Sequence, residues 1–166
     1  MLPAAGFLGQ RLSVAIAKLS LVNAEAIPNG ALLVVPVPLH SSKLRQRGFN
    51  QAELIARAAL RSADWRNLRL ETKALVRSRE TVSQAGLTRH QRRQNIRGAF
   101  RVRKPDLVGG RNILLVDDVF TTGATVSECA RVLLRAGAQS VQVATVARAL
   151  KADRVFTPVM MTEAAA

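Results

Sequence analysis

The segment Ile113-Leu114-Leu115-Val116-Asp117-Asp118-Val119-Phe120-Thr121-Thr122-Gly123-Ala124-Thr125 constrains this chain more than any other stretch. Its first four residues are continuously apolar, the pattern of a strand covered on both faces, as in a parallel sheet. Two carboxylates then end the run, and a small, hydroxyl-rich turn leads into helical periodicity. Val126, Cys129, Ala130, Leu133 and Leu134 repeat at the spacing of one buried helical stripe. Glu128 follows Thr125 by three residues as a helix-start signal, and Gly137 stands where a left-handed cap ends a helix. Val141 to Val146 is again valine-rich. Strand, helix and strand in this order predict a right-handed crossover between parallel strands.

Other segments extend the same architecture. Ala31 to Val37 reads as a further buried strand, and Ala99 to Val102 as a shorter one suited to an edge. Asn50 reads as an N-cap, with Glu53 three residues on and Phe49 placed to pack on Leu54, for a helix running to Arg61. The fold class expected is α/β, a mainly parallel sheet flanked by helices. Residues 31–150 are expected to form one domain, preceded by a helical segment over 1–30 and followed by a tail over 151–166. No internal repeat or interdomain linker stands out.

In an open α/β sheet, ligands sit beyond the carboxyl ends of strands, where this turn must lie. Backbone N–H groups at a helix start, with Gly123 allowing close approach ahead of Ala124, suit a phosphate. Thr121, Thr122 and Thr125 offer hydroxyls. Asp117 and Asp118 would repel that phosphate in contact, but at the strand end they can accept from two sugar hydroxyls or face Mg²⁺ through water. A phosphate at one end and a diol at the other describe ribose 5-phosphate. The paired aspartates also resemble the metal-holding strand of P-loop hydrolases, yet the chain contains no G-x-x-x-x-G-K-[ST] and no G-x-G-x-x-G. A plain helix cap explains one threonine and not the aspartates before it.

Charge narrows the partners. The 166 residues carry 25 Lys and Arg against 11 acids, a net +14. Seventeen of the basic residues lie between Ser41 and Lys104, against four acids, Glu53, Asp64, Glu71 and Glu80. This favours a polyanion, either nucleic acid or a phosphorylated small molecule, with a solvated basic surface as the plain alternative. Lys43, Arg45 and Arg47 precede the capped helix and can supply cations to a diphosphate. The chain has no tyrosine, one tryptophan and five phenylalanines, few for strand binding by base stacking. A lone cysteine, Cys129, excludes an intramolecular disulfide or a multi-cysteine zinc site and reads as a small core residue. His40 and His90 suggest no metal or catalytic dyad and read as exposed polar residues. Gln10, Arg11 and Lys18 interrupt the apolar stretch from Phe7 to Val22, so no membrane span or signal peptide is expected and the cytoplasm is the default compartment.

The 113–125 segment resembles the phosphoribosyl-diphosphate signature of type I phosphoribosyltransferases. Val35-Pro36-Val37-Pro38-Leu39 and Leu44-Arg45-Gln46-Arg47-Gly48-Phe49-Asn50-Gln51 resemble the ComF/GntX family of competence-associated, phosphoribosyltransferase-like proteins. So do Arg79-Glu80-Thr81, Gln84, Leu87, Arg92, Asn95, Arg97-Gly98-Ala99-Phe100 and Ala147-Arg148. The resemblance runs from Leu32 to Arg148. It implies Asp117 and Asp118 at the ribose hydroxyls, Thr121 to Thr125 at the 5-phosphate, and the turn from Leu39 to Arg47 at the diphosphate. Asp117, Asp118, Arg45 and Arg47 would supply the charges for transfer, with Mg²⁺ accompanying phosphoribosyl diphosphate. Arg77 to Arg97 would be a flexible loop closing over the site, or a nucleic-acid face. The family further implies a role in DNA uptake, with single-stranded DNA and competence proteins as partners and the acceptor unspecified. A non-catalytic component binding DNA or a partner protein is the alternative. Members commonly carry a cysteine-rich zinc module ahead of the domain; this sequence holds none, as expected of a shortened member or of a sequence without its front.

Overall fold

The computed structural model describes residues 32–61, 67–82 and 86–148. The expected segments over 1–30 and 151–166 lie outside these residues. Four parallel strands form the central sheet in the order β2-β1-β5-β6: β1 (Leu32–Pro36), β2 (Leu68–Leu70), β5 (Asn112–Phe120) and β6 (Ser140–Arg148). Two short strands, β3 (Leu75–Arg77) and β4 (Phe100–Val102), pair antiparallel as a separate ribbon. The helices are α1 (Ser41–Arg47), α2 (Gln51–Arg61), α3 (Arg89–Ile96) and α4 (Ala124–Arg135), with a 3-10 turn at Pro105–Leu107.

Alternation along the two central strands builds two cores. Leu32 and Val34 of β1, with Leu114 and Val116 of β5, pack on Ile55, Ala56 and Ala59 of α2. Leu33, Val35, Ile113 and Leu115 point the other way, against Val126, Cys129 and Leu133 of α4 and Leu75, Ile96 and Phe100 beyond it. Both faces are covered, which is why these strands read as uninterrupted apolar runs. The excursion from β1 leads through α1 and α2 to β2 on one side. The excursion from β5 leads through α4 to β6 on the other. The connections therefore diverge between β1 and β5, and a crevice opens at their carboxyl ends.

Asn50 caps α2 as expected: Ala52 N–H donates to its Oδ1 at 3.1 Å, while its Nδ2 donates to the Val37 carbonyl at 3.0 Å. One side chain thus satisfies the helix start and the end of β1 together. Glu53 does not close a capping box; it pairs along the helix with Arg57 at 2.8 Å. α4 begins at Ala124, its cap Gly123 at φ 77° with no side-chain capping bond. Gly137, at φ 92°, ends it in the expected left-handed conformation.

Glu128 also departs from the sequence reading. It is buried in the apolar stripe, accepting from Gly98 N–H at 2.7 Å and from Arg131 Nε and Nη2 at 2.8 and 2.6 Å. Residues 99–102 do not edge the main sheet, because β4 pairs with β3; the edge beside β1 is β2, at three residues too short to stand out. The turn after β1 is a seven-residue helix, closed where Gly48 N–H donates to Leu44 O at 2.8 Å. His40 is half-buried and caps that helix, whereas His90 is exposed. The 77–97 stretch, expected as a loop, contains α3, started by a reciprocal capping box between Thr88 and Gln91.

Candidate functional site

The crevice between β1 and β5 is a cleft of roughly 360 Å³. Asp117, Asp118 and Val119 reach it from β5, Thr121 and Thr125 from the turn into α4, and Val37, Pro38 and Leu39 from the end of β1. Asn50, Gln51 and Ala52 at the start of α2 complete its floor. Three arginines from three other elements line it as well: Arg47 of α1, Arg77 of β3 and Arg92 of α3. Acidic and cationic groups thus share one small volume, as a ligand with both a polyol and anionic groups requires.

Asp117 falls on the Ile113–Leu115 side of β5 by simple alternation. Its burial first, and the charge of Asp118 second, push its carboxyl up to about 7. The Asp118 N–H, donating to Asp117 Oδ1 at 3.0 Å, and the positive charge of Arg77 oppose that rise. Asp118 turns its own Oδ1 to Val119 N–H at 2.8 Å. Arg77 is half-buried, its guanidinium 5.5 Å from the Phe100 ring centroid with Nη2 donating to Thr81 Oγ1. Burial lowers its pKa, and its Nε is buried without a hydrogen-bond partner among the described residues. A guanidinium fixed this way cannot swing into solvent, so its charge stays at the cleft wall.

Behind the lining, Gly123 holds a positive φ that turns the chain from β5 into α4, and a Cβ there would lie 2.9 Å from the Phe120 ring. The Thr122 hydroxyl is buried and unpartnered among the described residues. The arrangement leaves the α4 amides at the cleft end, where a phosphate is favoured.

Of the residues singled out from sequence, Asp117, Asp118, Thr121, Thr125 and Arg47 line the cleft. Thr122, Gly123 and Ala124 shape the turn without lining it, and Arg45 is exposed on α1 away from the lining. Sequence reading did not assign Asn50 or Gln51 to the site, and placed Arg77 and Arg92 there only as parts of a 77–97 segment closing over it. Asn50 stood out only as a cap. Arg77 and Arg92 arrive through the β3–β4 pairing and the packing of α3, which no local spacing announces. Among the described residues no group of three or more His, Cys, Asp and Glu side chains could hold a metal, and no helix is long and apolar enough to cross a membrane.

Residues 46–158 match the family model described as "Phosphoribosyl transferase domain". Over 117 residues the chain is 41% identical to the DNA utilization protein YhgH of Escherichia coli, covering 70% of this chain and 49% of that one. It is 38% identical over 117 residues to competence protein F of Haemophilus influenzae, covering 70% and 50%. To competence protein ComFC of Bacillus subtilis it is 31% identical over 113 residues, covering 68% and 42%. The chain therefore spans about half the length of the curated relatives it matches. In fold it is similar to a hypoxanthine phosphoribosyl transferase of Trypanosoma cruzi, with TM-score 0.52 and 16% identity over 87% of this chain and 75% of that one. It is likewise similar to an allosteric regulatory enzyme of purine biosynthesis, with TM-score 0.50 and 21% identity over 86% and 25%. A parallel sheet flanked by helices is the fold these structures share with it, and the chain belongs to the phosphoribosyl transferase domain family, beside the competence proteins of the ComF type.

Proposed function

We propose that the cleft binds phosphoribosyl diphosphate, with Asp117 and Asp118 accepting from the ribose hydroxyls and residues 121–125 surrounding the 5-phosphate. One observation carries this reading. The half-buried aspartate pair and the start of α4 meet in a single cleft that Arg47, Arg77 and Arg92 also line. A neutral sugar would leave those arginines unanswered, and a simple phosphate would leave the aspartates without donors.

The donor set also fits Mg²⁺, which prefers one or two carboxylates plus ligand phosphates and keeps several waters. The elevated Asp117 pKa marks a place where a further positive charge is favourable. Asp117 and Asp118 would hold the ion, and when bound it would offset the charge of the diphosphate. The chain's own residues orient the sugar and place cations at its anionic end. Transfer would break the bond between ribose C1 and the diphosphate and join C1 to an acceptor heteroatom, whose proton leaves. Such chemistry needs positioning and charge stabilisation and no nucleophilic side chain. Calorimetric titration with phosphoribosyl diphosphate tests the reading: binding should require Mg²⁺ and vanish in Asp117→Asn/Asp118→Asn, and equal binding by that variant would refute it.

The competence and DNA-utilization names of the relatives support a role for this domain in DNA uptake inside the cell. A second reading, direct contact with single-stranded DNA or a competence protein, is favoured by the exposed Arg93, Arg97, Arg101 and Arg103 on α3, β4 and the residues flanking them. If it holds, affinity for single-stranded DNA falls with salt at a slope near −0.7 for each phosphate contacted. A flat salt response would remove it.

A further inference from the structure

The cleft takes one of its three arginines, Arg92, from a helix that has little reason to hold still. α3 is eight residues long, a length at which an isolated helix is marginal in water. Ile96 is its one buried side chain among those described, with Arg92 and Asn95 half-buried, so apolar packing anchors it chiefly at its last residue. Polar ties supply the rest, and a two-pronged one comes from outside the helix. Arg79, two residues beyond β3, donates through Nη2 to the carbonyls of Asn95 and Arg97 at 2.9 and 2.8 Å.

These carbonyls lie at the carboxyl end of α3, where oxygens lack intrahelical partners and the helix dipole favours a cation. Arg79 is itself held: its N–H and that of Ser78 point to Ala99 O at 3.4 and 2.9 Å. Asn95 returns the tie by donating Nδ2 to Val82 O at 3.0 Å. The strand after which Arg79 sits, β3, is the one that carries Arg77 into the cleft. Arg92, meanwhile, has its Nε committed to Leu87 O at 3.0 Å, which leaves its terminal nitrogens as the part that meets the cleft.

We infer that Arg79 is a positioning residue: by gripping the carboxyl end of α3 it fixes the helix that holds Arg92 in the cleft, beside Arg77. Arg79 acts through Arg92 on the diphosphate of the ligand. This rests on the phosphoribosyl diphosphate reading above and adds the device that completes the cationic wall.

The test titrates the wild-type chain, Arg79→Ala, Arg79→Lys, Arg92→Ala and the Arg79→Ala/Arg92→Ala double variant with phosphoribosyl diphosphate and Mg²⁺, and in parallel with ribose 5-phosphate. Arg79→Ala and Arg92→Ala should each weaken phosphoribosyl diphosphate binding about tenfold while leaving ribose 5-phosphate nearly untouched. The double variant should bind no worse than Arg92→Ala, since both changes remove one contribution. Arg79→Lys, which keeps the charge without the planar guanidinium, should fall between. Amide hydrogen exchange on the unliganded chains should show Arg92–Arg97 amides losing protection in Arg79→Ala and keeping it in Arg92→Ala. Equal losses for both ligands, additive losses in the double variant, or unchanged α3 protection in Arg79→Ala would each overturn the inference while leaving phosphoribosyl diphosphate binding intact. A wild-type chain that binds neither ligand would overturn the underlying reading as well, and the inference with it.

Discussion

Asp117 is the cleft residue whose burial carries its chemistry far from the ordinary state of a carboxylate. Its carboxyl sits near 7 because burial and Asp118 both disfavour the charge. Since its folded pKa lies above its unfolded one, the folded chain holds more protons between about 4 and 7, and stability from this group declines as pH rises across that window. Above about 7 the decline ends. Chemical denaturation from pH 4 to 8 should show it. Asp118 and Arg77 are the neighbouring groups that modulate the transition. Binding of a Mg²⁺-accompanied ligand requires the ionised form, so affinity should fall below pH 7 by up to about tenfold per unit. Asp117→Asn removes the repulsion and should leave the fold as stable or stabilise it by about 1 kcal/mol at pH 8, even as it abolishes binding. A large loss of stability in that variant would mean Asp117 serves the fold instead.

At the scale of elements, the sequence announced what local chemistry controls and missed what pairing controls. β1, β5 and β6 were legible because strands buried on both faces leave continuous apolar runs. The Asn50 cap and the Gly137 terminus were legible because each uses a residue suited to one backbone geometry. β2 and β3 have three residues each, and α3 is nearly all polar, so hydrophobic periodicity has nothing to report there. Glu128 shows a related failure. It matched a helix-start pattern, yet its carboxylate reaches sideways to Gly98, thirty residues away in sequence. Replacing it with alanine should cost about 1–2 kcal/mol in a urea titration, because the Gly98 N–H and the Arg131 guanidinium lose the carboxylate they both donate to. Asn50→Ala should cost about 1–2 kcal/mol, since the helix start loses its cap and the Val37 carbonyl its donor.

For the whole molecule, the position of the cleft follows from chain order. Strands β1 and β5 are neighbours whose excursions leave in opposite directions, and the aspartates, the α4 start and Asn50 all lie where they part. The 113–125 segment therefore revealed half of the site. The cationic half is assembled from α1, β3 and α3, elements distant in sequence, and only the tertiary structure brings Arg77 and Arg92 to it. The excess of basic residues was legible as a bulk property, but not the few arginines that enter the cleft.

Whether this cleft takes phosphoribosyl diphosphate is settled most directly by thermal unfolding in the presence of Mg²⁺ with phosphoribosyl diphosphate, ribose 5-phosphate or ATP. A ligand at a hundred times its Kd stabilises by about 2.7 kcal/mol, or roughly 5–10 °C in Tm for a domain of this size. Phosphoribosyl diphosphate should give such a rise, ribose 5-phosphate a smaller one, ATP little, and Asp117→Asn/Asp118→Asn none. An unchanged Tm with every phosphosugar, or an equal rise in the aspartate variant, would contradict the reading.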